Sequence, residues 1–146
     1  MCRPVPAHGY GVRGGSRRRG GGGGVRGGWW TAGGAGGPWA EAGGGTALLV
    51  VPGCPGSKES WYPLAGSINK PFRVVEPDLP GWGQSQRDAG ADYGYAAQVE
   101  RLARFIEVLG AGKPVALVGH SMGGGIAALL AARHPQYIDK LVLMDA

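Results

Sequence analysis

Apolar positions in this chain gather into four short unbroken runs: Thr46–Val51 (TALLVV), Phe72–Val75 (FRVV), Val115–Val118 (VALV) and Leu141–Met144 (LVLM). Runs without polar alternation predict strands covered on both faces, as in a parallel sheet. Between them the period is helical. Tyr95–Leu109 places Val99, Leu102, Ile106 and Leu109 on one face. Gly110 and Gly112 stop that helix and Pro114 opens the next strand. Met122–His134 is rich in Ala and Leu and is stopped by Pro135. Ser57–Ser67 predicts a shorter helix with Ser57 as its N-cap. Strands alternating with helices predict an α/β fold with a mostly parallel sheet and right-handed crossovers.

The N-terminal third reads differently. Of 31 Gly, 18 lie in residues 1–45, together with six Arg and one Glu. Residues 46–146 hold nine basic and nine acidic residues. The pI of about 9.6 thus describes the N-terminal segment, which excludes reading the whole chain as a basic nucleic-acid-binding domain. Residues 1–37 are expected to be a disordered Gly/Arg-rich tail, because they offer too little apolar surface to offset the entropy of ordering. Residues 38–146 are expected to form the folded domain. Arg-Gly-Gly starts at Arg13, Arg19 and Arg26, so residues 13–28 could contact single-stranded RNA, with Trp29 and Trp30 as a stacking surface. The same composition is what GC-rich DNA encodes outside a true reading frame.

Cys2 and Cys54 are too few for a disulfide framework or a zinc site. No apolar run reaches the length of a membrane span, and the first residues lack the apolar core of a signal peptide. A cytoplasmic location is the expectation.

The candidate chemistry lies at Gly119-His120-Ser121-Met122-Gly123. A lone G-x-S-x-G means little in a Gly-rich chain. Here it follows VALV and opens a helix, the setting of a nucleophile elbow. Such a turn strains the backbone of Ser121 and lifts its hydroxyl above the sheet edge. Gly119 and Gly123 let strand and helix approach closely. The helix N-terminus favours negative charge developing nearby.

These residues resemble the α/β-hydrolase superfamily, and the similarity extends beyond the elbow. Leu49–Ser57 (LVVPGCPGS) resembles the end of strand 3 and the oxyanion loop. Asp78–Ser85 (DLPGWGQS) resembles the D-x-P-G-x-G-x-S loop after strand 4. Arg133-His134-Pro135 and Leu141–Asp145 resemble the end of the elbow helix and strand 6, and Trp39–Gly43 the end of strand 2. Lys58-Glu59-Ser60-Trp61 is similar to some esterases and monoacylglycerol-type lipases. The resemblance implies a partial α/β-hydrolase fold, with strands 3–6 at the four apolar runs in the order 4-3-5-6, and strand 2 only a stub beside strand 4. One departure is Pro52 where members usually carry His. Strand 6 would be left as an exposed apolar edge.

By the same resemblance Ser121 is the nucleophile, the backbone N–H groups of Met122 and Cys54 are the oxyanion donors, and Asp145 is a candidate triad acid at a position that is structural in most members. The Cys54 thiol reads as free and buried, and Asp78 as a residue that braces its loop. The implied substrate is a small acyl compound of the ester class, and neither metal nor organic cofactor is implied. A serine hydrolase also needs a His base. His8 lies in the tail, His120 adjoins Ser121 pointing away, and His134 lies about 18 Å along the helix at ~1.5 Å per residue. The base is therefore expected outside this chain, which reads as a fragment with little activity of its own. Two other readings stay open: a catalytically inactive remnant with a binding role, for instance toward RNA through the tail, and the same fold with amidase, carbon–carbon hydrolase or haloperoxidase-like activity. A Ser elbow argues against haloalkane dehalogenases and epoxide hydrolases, which use Asp.

Overall fold

The computed structural model describes residues 25–32, 35–110 and 113–146. Six strands form one sheet: β1 (Arg26–Ala32), β2 (Ala35–Gly43), β3 (Thr46–Val51), β4 (Phe72–Pro77), β5 (Val115–His120) and β6 (Ile138–Met144). Their order is β1-β2-β4-β3-β5-β6. The pairs β4–β3, β3–β5 and β5–β6 are parallel, whereas β1–β2 and β2–β4 are antiparallel. The expected order 4-3-5-6 is thus present, with two antiparallel strands added on one side.

Alternate residues of the central strands feed two cores, because successive side chains in a strand point to opposite faces. Leu49, Val51, Val75, Val115 and Leu117 face helices α2 (Tyr95–Gly110) and α3 (Met122–Arg133). From these helices come Val99, Leu102, Ile106, Ile126 and Leu130. Leu48, Val50, Val74, Ala116 and Val118 face the other way, where α1 (Tyr62–Ile68) adds Ala65. The second core is the smaller because its covering helix has seven residues.

Three expectations need correction. The segment expected to be disordered through residue 37 includes β1 and the start of β2; residues 1–24 lie outside the described residues. Strand 2 is a nine-residue strand rather than a stub. The reason is aromatic burial. Trp30 is buried with its ring 5.0 Å from that of Phe105 on α2, and Trp39 lies 6.5 Å from the same ring. Trp30 is therefore core, not a stacking surface; Trp29 is exposed. The Gly residues of β2 also have a packing role. A Cβ on Gly37 would fall 1.7 Å from Ser85 Oγ, so only Gly admits the Asp78–Ser85 loop there. Third, the helix expected over 57–67 is split. A 3-10 turn spans Lys58–Trp61, and α1 then begins with Pro63 in its first turn, where the missing N–H costs nothing.

At the far edge, among the described residues, β6 pairs only with β5. Leu141, Val142, Leu143 and Met144 are 37–51% exposed, so the apolar edge expected from the sequence is present.

Candidate functional site

β5 runs straight into α3, and the turn between them is Ser121. Its backbone has φ 52° and ψ −121°, a left-handed φ that costs a non-Gly residue on the order of 1–3 kcal/mol. Neighbouring contacts hold it there. The Ser121 N–H donates to Met144 O at the end of β6 (2.9 Å), and Ser121 O accepts from the N–H groups of Gly124 (2.9 Å) and Gly125 (3.2 Å).

Two glycines make this turn sterically possible. A Cβ on Gly119 would stand 2.5 Å from Gly123 O and 2.7 Å from Ala127 Cβ. A Cβ on Gly123 would stand 2.2 Å from Val51 O and 2.4 Å from Pro52 O. The start of α3 therefore lies directly against the end of β3. This contact also brings in the Pro52–Gly56 loop: a Cβ on Gly53 would be 2.9 Å from Ser121 Cβ and 3.0 Å from His120 Nδ1. Ser121, the first residue of α3 (Met122) and the loop carrying Cys54 thus share one corner of the sheet. Cys54 is disulfide-bonded, which corrects the free thiol expected from the sequence. Asp145 directly follows Met144, the residue whose carbonyl binds the Ser121 amide, and has φ 46°.

His120 and His134 are not assembled with Ser121. The His120 ring meets Trp61 edge-on at 6.0 Å. His134, at the far end of α3, bonds Glu100 (3.1 Å) and stacks on Tyr137. Among the described residues no hydrogen bond joins either ring to Ser121; His8 lies outside them.

Asp78 braces its loop, as the sequence suggests. Its Oδ1 accepts from the Lys58 N–H (2.7 Å), and its Oδ2 accepts from Lys58 Nζ (3.1 Å) and the Gln84 N–H (2.9 Å). The Asp78 side chain is fully buried, and Ser85 Oγ donates to its carbonyl (2.7 Å). Gly83, at φ 53°, leaves room for the carboxylate, which a Cβ would meet at 2.4 Å. Burial lowers the Lys58 pKa, but hydrogen bonds and opposite charges at Glu59 and Asp78 outweigh it and hold the ammonium above its usual range. Lys58 follows the Pro52–Gly56 loop, so the pair ties that loop to the one after β4. The sequence offers Lys58 only as part of a family-like tetrapeptide; its burial arises from contacts 20 residues away.

Of the three Arg-Gly-Gly copies, Arg26 lies in β1 and pairs with Glu41 (3.2 Å); residues 13–24 lie outside the described residues. No helix of the described residues is long and apolar enough to cross a membrane.

A strained Ser between a buried parallel strand and a helix, facing a Gly-rich loop, defines a class, and comparison with known proteins agrees. Residues 46–146 match the family model of the alpha/beta hydrolase fold, so the chain belongs to that family. It is 35% identical over 99 residues to monoacylglycerol lipase abhd6-B of Xenopus laevis, covering 67% of this chain and 29% of that protein. Among solved structures, a membrane phospholipase A superposes with TM-score 0.76 at 34% identity, over 82% of this chain and 39% of that one. Epoxide hydrolase VrEH1 of Vigna radiata superposes with TM-score 0.77 at 26% identity, over 82% and 39% respectively. The chain spans less than a third of the length of the curated lipase it matches.

Proposed function

We propose that the chain carries the nucleophile half of a carboxylic-ester hydrolase. The observation that carries this reading is Ser121 at φ 52°, wedged between Gly119 and Gly123 against the end of β3. Ser121 Oγ attacks the acyl carbonyl carbon and its proton passes to a base. The carbonyl oxygen becomes an oxyanion, which then collapses to expel the alkoxide and leave an acyl-Ser121 ester. The N–H groups of Met122 and Cys54 are the donors for that oxyanion, each worth roughly 3 kcal/mol. The α3 N-terminus adds a favourable field. Water hydrolyses the ester in a second step.

Similarity to lipases supports an ester substrate. The similarity to an epoxide hydrolase extends the fold but not the chemistry, since the elbow residue here is Ser rather than the Asp that such enzymes resemble one another in using. Asp145 follows Met144, whose carbonyl accepts from the Ser121 N–H, and by family resemblance is the weaker of the site assignments, as the acid.

The test is acetyl transfer from p-nitrophenyl acetate to the full 146-residue chain, with imidazole added as an external base. The expected result is imidazole-dependent release of nitrophenolate beyond that of Ser121→Ala, with acetyl on the Ser121 peptide. Equal release by the two proteins would remove the nucleophile assignment.

A further inference from the structure

The sheet face opposite the elbow helix contains a buried acid that the proposed chemistry does not use. Glu76 lies on β4 in register with Ala40 of β2, and is 2% exposed. Its Oε1 is enclosed without a hydrogen-bond partner. Glu76 lines a cavity of about 150 Å³ between β2, β4 and α1, whose other polar side chains are Tyr62 and Asn69; Glu41 also borders it, but alternates with Ala40 and Ala42 so that its carboxylate lies on the α2 face of the sheet. Glu41 is already neutralised, by Arg26 at 3.2 Å and Arg73 at 3.8 Å. Glu76 is paired with no cation among the described residues.

A buried carboxylate with an orphaned oxygen is expensive to keep unless something completes it. The cavity identifies the chemistry of that partner. At about 30 Å³ per water it has the space of roughly five waters, enough for a small organic group. Glu76, Tyr62 and Asn69 each bring an acceptor oxygen, which suits a group of three N–H donors. Among the described residues no group of three or more His, Cys, Asp or Glu gathers to hold a metal ion. Val25, Ala42 and Ala65 complete the lining with apolar surface.

We propose that this cavity binds a primary alkylammonium group, with Glu76 as the anionic acceptor, Tyr62 and Asn69 as neutral acceptors, and Val25, Ala42 and Ala65 against the alkyl stem. The ligand is a free amine or a lysine side chain, which present the same chemistry. Binding requires the ionised carboxyl. Burial, then the charge of Glu59, raise the Glu76 pKa to about 7, against a smaller opposing effect of Lys58. The other titratable groups near it are Tyr62 on α1 and Asp78 beyond β4, with Glu41 on β2 and its two Arg partners across the sheet. Affinity should therefore rise about tenfold from pH 6 to pH 8, following the ionised fraction of a group titrating near 7.

The experiment is titration of the full ¹⁵N-labelled chain with propylammonium chloride, against potassium chloride at equal ionic strength. A parallel arm uses Nα-acetyl-lysine methylamide. Saturable shifts at the Gly66 and Asn69 amides are expected, at least tenfold weaker in Glu76→Gln. Response to the lysine derivative would identify protein lysines as the source, and response to propylammonium alone a free amine. Gly66→Leu is the second variant: Gly66 lines the cavity and a Cβ there meets nothing within 4 Å, so the fold tolerates it while the space closes. It too should abolish the shifts. Shifts no larger than those with potassium chloride would mean that water alone fills the cavity. That result, or equal affinity in Glu76→Gln, would overturn the proposal.

Discussion

The amide of Ser121 donates a 2.9 Å hydrogen bond to the carbonyl of Met144. One end of this bond is the strained elbow and the other is the last residue of the exposed edge strand. The backbone that aims the Ser121 hydroxyl thus depends on a strand covered on only one edge. Lys140, Leu141, Val142 and Leu143 on β6 lie in register with Ala116–Gly119 on β5, so fraying of the edge would reach the elbow within a few residues.

That edge should make the isolated chain associate. Val142 and Met144 are 51% and 42% exposed on an apolar strand with unpaired backbone groups. Val142→Lys is expected to shift sedimentation toward monomer at concentrations where the unaltered chain forms larger species. Unchanged sedimentation would show that β6 is not the contact.

The two kinds of Gly separate packing from propensity. Gly123→Ala pushes a Cβ to 2.2 Å from Val51 O and should cost at least about 2 kcal/mol in urea unfolding, as overpacked sites do. Gly66→Ala, in open space on α1, should be neutral or stabilising by up to about 1 kcal/mol. A reversed ranking would mean that the elbow is looser than described.

Asp78→Ala leaves the Lys58 ammonium buried without its deepest partner. Losing one member of a buried pair typically costs about 3–5 kcal/mol. The expected urea midpoint is well below that of Ser67→Ala, a change at an exposed hydroxyl. Equal midpoints would show that the brace carries no stability.

Glu76 gives stability a pH dependence of known sign. A carboxyl with a higher pKa folded than unfolded binds more protons when folded, so its contribution is present at low pH and lost as pH rises from about 4.5 through about 7. The loss is on the order of 3 kcal/mol. Glu76→Gln should therefore stabilise the chain at pH 8 and have little effect at pH 4.5. Thermal melts at both pH values check this; an equal effect at both would place the Glu76 pKa near its ordinary value.

The elbow was legible because its information is contiguous: VALV, Gly119–Gly123 and the Ala/Leu helix adjoin in the sequence. The central strands were legible for the same reason, since each is a short apolar run buried on both faces. β1 and β2 were not. Their Gly content hides the alternation of Trp30 and Ala32 (buried) with Trp29 and Thr31 (exposed), and what secures them is Phe105, over 60 residues away. Glu76 was missed because an acid after two Val reads as the solvent end of a strand. Its burial follows from β2 and α1 closing over it.

Whether Ser121 is the nucleophile can be read from reaction of the full chain with an alkyl fluorophosphonate, with peptide mapping of the adduct. The reagent needs an activated, accessible serine and no particular acyl substrate. With neither His120 nor His134 bonded to Ser121 the reaction should be slow, since loss of triad members lowers related rates by up to about 10⁶-fold. The expected result is a slow adduct on Ser121 alone, absent in Ser121→Ala. Equal labelling of Ser57, Ser60 and Ser67, or an unchanged adduct in Ser121→Ala, would contradict it.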